Sequence, residues 1–112
     1  MTRTLQGAPS VSASGKATAA LDAGFFRVRF DRLTPREQDY LRAMAELGPG
    51  PHRSGEVAAK LGIPVTSAGP LRTGLIRKGM IWSPAHGETA FTVPMFDRYM
   101  FRAMPDWPPA GG

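Results

Sequence analysis

The stretch PLRTGLIRKGMIWSP, residues 70–84, brings Arg72, Arg77 and Lys78 close together, and no Asp or Glu lies between Glu56 and Glu88. Lys60 stands in the same acid-free gap. Guanidinium and ammonium groups without carboxylate neighbours are suited to phosphate, and an arginine fork also matches a guanine edge. Arg72 and Arg77 are therefore the first candidates for phosphate or guanine contact, with Lys60 and Lys78 supplying nonspecific charge. The hydroxyls of Ser67 and Thr73 are candidate donors to phosphate. His86 is foremost a polar turn residue, with phosphate contact as its functional reading.

Other chemistries find little support in the residue types. There are no cysteines and only two histidines, His52 and His86, so neither a thiolate site nor a histidine-rich metal site is expected. His52 reads as a loop residue. Glu37, Asp39, Glu46 and Glu56 sit where helix caps and surface ion pairs account for them. No spacing suggests a Ser–His–Asp set or a paired-acid site, so neither catalysis nor a cofactor is expected. Trp82, Phe91, Phe96 and Tyr99 could stack on bases, but their placement on a hairpin and the following helix fits a packed core better.

The elements that must hold these residues can be read from pattern. Residues 1–23, rich in Ala, Ser, Gly and Thr, show no amphipathic period and read as a disordered leader. FFRVRF, residues 25–30, alternates apolar and basic residues and reads as a short strand, either the third strand of a small sheet or a linker remnant. LTPREQDYLRAMAELG carries the clearest helix signal: Thr34 as cap, Pro35 in the first turn and Glu37 closing a capping box, with Gly48 as the stop. A short helix follows, capped by Ser54, striped by Val57, Ala58 and Leu61, and ended by Gly62.

A third helix runs to Gly79 with Leu71 and Leu75 inward. Thr66 or Ser67 as its cap would keep Pro70 in the first turn, where a missing N–H costs nothing. At about 100° per residue, Gly69, Thr73 and Arg77 then face outward most directly, with Arg72 on a flank and Lys78 snorkelling from nearer the core. The outer face has no Asn or Gln, which predicts low sequence specificity. MIWSP and TAFTV form a hairpin turning at Gly87, and Pro94 opens a last amphipathic helix. PDWPPAGG, residues 105–112, reads as a flexible tail.

Helix, short helix, helix and hairpin in this order make a winged helix-turn-helix, so the fold class expected is mainly α with a small β-hairpin wing, spanning residues 24–104. A net charge of +5 on 112 residues agrees with a polyanionic partner. No apolar run is long enough to span a bilayer and no secretory signal is evident, so the expected location is cytoplasmic, with no membrane partner.

LTPREQDYLRAMAELGPGPHRSGEVAAKLG, PLRTGLIRKGMIWSPAHGETAFTVPMFDRYM and RAMP together resemble the C-terminal winged-helix region of prokaryotic AAA-type ATPases, over residues 25–104. The resemblance implies a module that follows an ATPase core and binds DNA or contacts partners. The chain has no G-x-x-x-x-G-K-[ST] phosphate loop, so no ATPase activity is carried over. The expectation is a module for double-stranded DNA of low sequence specificity. Its rival is an interaction module that docks on an ATPase or another protein, or forms a homodimer, through the aromatic face of the last helix.

Overall fold

The computed structural model describes residues 17–108, which fall into two compact units divided between Arg32 and Leu33. The N-terminal unit is helical from residue 17: a π-helical segment, Leu21–Phe26, runs directly into α1, Arg27–Phe30. This overturns two expectations. Residues 17–23 are helix rather than disordered leader, consistent with the high helix propensity of their alanines, whereas residues 1–16 of that leader lie outside the described range. FFRVRF is helix rather than strand.

Six alternating residues cannot separate the two periods, and here the pairs four apart are the ones used. The Arg29 guanidinium lies 3.8 Å from the Phe25 ring centre and donates to the Phe25 carbonyl at 2.9 Å. Arg27 Nε reaches Asp31 at 3.2 Å.

The second unit holds α2 (Pro35–Leu47), β1 (His52–Arg53), α3 (Ser54–Leu61), α4 (Val65–Arg77), β2 (Ile81–Trp82), β3 (Glu88–Phe91) and α5 (Phe96–Ala103). It is mainly helical with one small antiparallel sheet. The α2 cap forms as its sequence predicts: the Thr34 hydroxyl accepts from Glu37 N at 3.1 Å, and the Glu37 carboxylate accepts from Thr34 N at 2.9 Å. Helix α2 is the hub, packed on α3, α4 and α5 and sealing Tyr40, Leu41 and Met44 completely. Val57, Leu75 and Phe96 close the core from the other three helices.

Three helix starts differ from expectation. Helix α5 begins at Phe96 with Met95 as its cap, at φ 66°, and Pro94 lies before it in a turn. Arg53, not Ser54, is the N-cap of α3, and its N–H donates to the Glu56 carboxylate at 3.0 Å. Helix α4 begins at Val65 with Pro64 as its cap, so Pro70 lies in the second turn, inside the helix. The residue preceding a proline resists helical geometry when it carries a Cβ, and Gly69 removes that conflict. Gly79 stops the helix as expected: at φ 75° it lets Met80 N turn back to the Leu75 carbonyl at 2.9 Å, burying Met80.

Strand order is β1-β3-β2, with His52 opposite Thr89, Arg53 opposite Glu88, Ile81 opposite Phe91 and Trp82 opposite Ala90. The third strand is thus β1, not FFRVRF. His52 is held in it by a 2.7 Å bond between Nε2 and the Gly48 carbonyl.

The segment after α5 is anchored as far as it is described. Arg42, buried within α2, donates from Nε to the Met104 carbonyl at 2.9 Å and from Nη1 to Glu46 at 2.7 Å. Its guanidinium also covers the rings of Phe101 and Trp107 at 4.4 and 5.3 Å. Residues 105–108 are therefore not a free tail, while 109–112 lie outside the described range.

Candidate nucleic-acid interface

Helix α4 buries Ala68 and Leu75 and exposes Thr66, Gly69, Pro70, Thr73, Ile76 and Arg77. Thr73 and Arg77, one turn apart, project from this outer face as expected. Thr66 is not the cap, which is Pro64, and joins them at the helix start. Pro64 offers no side-chain cap, so the first-turn N–H groups of Val65 and Thr66 lack an intrahelical or capping acceptor. Ser67 is exposed beside them, Lys60 is exposed on α3, and His86 is exposed in the turn between β2 and β3.

Two of the four expected cations are drawn elsewhere. Lys78 donates from Nζ to Glu37 Oε1 at 2.7 Å, bridging the end of α4 to the start of α2. Having begun on the inward flank, it meets a carboxylate there instead of snorkelling to solvent. Gly74 makes room for that carboxylate, since a Cβ at this position would stand 2.5 Å from Glu37 Oε2. Burial by itself would raise the Glu37 pKa, but the bonds from Lys78 and from Thr34 outweigh it and hold the carboxyl below its ordinary value.

Arg72 also turns inward. Half-buried, it donates from Nη2 to the Glu88 carbonyl on β3 at 3.0 Å, and its Nε is buried without a hydrogen-bond partner. The Tyr40 hydroxyl is likewise buried without a hydrogen-bond partner, with the Ser54 and Thr89 side chains close by. Burial raises the Tyr40 pKa against the opposing influence of those hydroxyls and of the Arg72 charge.

The aromatic residues divide differently from expectation. Phe96 and Tyr99 are buried and packed 5.3 Å apart, with Phe91 6.3 Å from Phe96, so these rings belong to the core as expected. Trp82, expected in the core, is 53% exposed. With Met95 it borders a groove of about 370 Å³ walled by the Gly48–Pro51 loop and by Phe91 and Pro94. Among the described residues, no three His, Asp or Glu side chains converge to hold a metal ion, and no helix is long and apolar enough to cross a membrane.

Comparison with curated proteins and with solved structures yields no match. A family model described as a domain of unknown function, DUF8462, matches residues 23–100, which takes in α1 through most of α5, and on that match the chain belongs to the DUF8462 family.

Proposed function

We propose that this chain is a winged helix-turn-helix module that holds double-stranded DNA through its phosphate backbone, with α4 as the helix presented to the major groove and the β2–β3 hairpin as the wing. The order α2, β1, α3, α4, β2, β3 is that of a winged helix, and β1 completes the three-stranded wing sheet. The observation that carries the reading is an exposed α4 face, with an uncapped first turn, inside a stretch with no carboxylate from residue 57 to 87. Phosphate oxygens accept from uncapped first-turn N–H groups, and Ser67, Thr73, Arg77 and Lys60 supply further donors.

With Arg72 and Lys78 engaged within the fold, the phosphate contacts from this surface fall to about two or three. The salt dependence should be correspondingly shallow, a slope of log K against log salt of about −2 to −3. The test is fluorescence anisotropy of a labelled mixed-sequence duplex across a salt series. Binding at low salt that weakens on that slope supports the proposal, and no binding at low salt removes it.

A second reading rests on a separate observation, the exposure of Trp82 and Met95 along their groove. In it the module docks on a protein, such as the ATPase core implied by the resemblance, through that groove and not through α5. Such docking would be nearly indifferent to salt.

A further inference from the structure

We propose that Arg72 is a positioning residue: its guanidinium latches the β2–β3 hairpin to α4, setting where the hairpin stands relative to the helix, and it does not itself contact DNA. This rests on the DNA-binding reading for its functional meaning, although the latch is a property of the fold and can be tested without DNA.

The hairpin is held at its root by two adjacent backbone carbonyls. The Gly87 carbonyl accepts from Ser54 N at 2.9 Å, at the start of α3, and the Glu88 carbonyl accepts from Arg72 Nη2 at 3.0 Å, from the middle of α4. Glu88 is also the residue paired with Arg53 across β1. The two bonds therefore fix the base of the hairpin to both helices that flank it. Beyond the base, residues 83–86 are exposed, and among the described bonds the turn is braced locally, by Ser83 Oγ and Glu88 N donating to the Ala85 carbonyl at 2.7 and 2.9 Å.

The surroundings of Arg72 suit a latch better than a phosphate ligand. A groove-facing arginine keeps its donors solvated until the duplex arrives. Here Nε is buried without a hydrogen-bond partner, and the Arg72 charge acts on the sealed Tyr40 hydroxyl. Among the described residues Arg72 forms no ion pair with a carboxylate that would explain the guanidinium as a charge partner. An apolar side chain would fill the same space without stranding a buried donor, and what the guanidinium adds is a directional bond to one carbonyl of the hairpin. Thr89, on the adjoining residue of β3, is completely buried and donates to Met44 Sδ at 3.7 Å, so the strand beyond the latch is packed while the turn before it is not.

The test uses the full chain and its Arg72→Ala variant. Amide hydrogen exchange should accelerate at Glu88 to Ala90 while the amides of Tyr40 to Met44 stay protected. Duplex affinity should fall several-fold with the salt slope unchanged, because no phosphate contact is lost. A slope shallower by about 0.9 would identify Arg72 as a phosphate ligand and overturn the latch. Unchanged exchange in the hairpin would overturn it equally. If the unsubstituted chain fails to bind the duplex, the DNA reading falls, and the exchange comparison still decides the latch. Should Arg72→Ala not fold, Arg72→Met keeps the apolar stem and removes only the donors, and the same two measurements apply.

Discussion

Glu37 shows how much can converge on one carboxylate. It closes the capping box of α2, receives Lys78 from the end of α4, and lies against the backbone at Gly74. Its folded-state pKa is below its unfolded value, so the stability it contributes is fully present above the unfolded value and is lost as pH falls through the lowered folded one. Glu37→Gln should remove that acid-side loss and lower stability at neutral pH by about 1–3 kcal/mol, as seen in thermal melts across pH 2–7. The capping role is legible locally, from Thr34, Pro35 and Glu37 in order. The ion pair is not, because Lys78 is 41 residues away and only the packing of α4 on α2 brings it near.

At the scale of elements, proline placement and helix packing decide what spacing leaves open. Pro70 inside α4 deprives the Thr66 carbonyl of its helical donor. Both residues are exposed, so Pro70→Ala should raise stability by about 1–3 kcal/mol, measurable by urea denaturation. An unchanged or lower stability would mean that the proline matches a bend the fold requires. The Arg42 anchor is likewise a product of α2 packing on α5. Removing it with Arg42→Ala should release residues 104–108, costing about 2–4 kcal/mol and shifting the Trp107 contribution to fluorescence toward the red. PDWPPAGG reads locally as a flexible tail because the arginine that anchors its described part, Arg42, is 62 residues upstream of Met104.

Over the whole molecule, the charge is less concentrated on the proposed interface than the sequence total implies. Residues 33–112 carry nine Lys and Arg against seven Asp and Glu, and the remaining excess belongs to residues 1–32. Of the cations in the acid-free gap, Arg77 and Lys60 are the two left exposed. Arg77→Ala and Lys60→Ala should each flatten the salt slope of duplex binding by about 0.9 and leave the melting temperature nearly unchanged. Variants that bind with the parental slope would move the interface off this face.

Local pattern by itself determined the helices of the larger unit, the α2 capping box, the Gly79 stop and the hairpin at Gly87, because caps, stops and amphipathic stripes are written within a few residues. Tertiary packing alone decided that β1 completes the sheet, that Trp82 is exposed, and that Arg72 and Lys78 face inward. A cation has no fixed destination in sequence. It goes to the nearest acceptor that folding brings within reach, and here those acceptors, the Glu88 carbonyl and the Glu37 carboxylate, come from other elements of the chain.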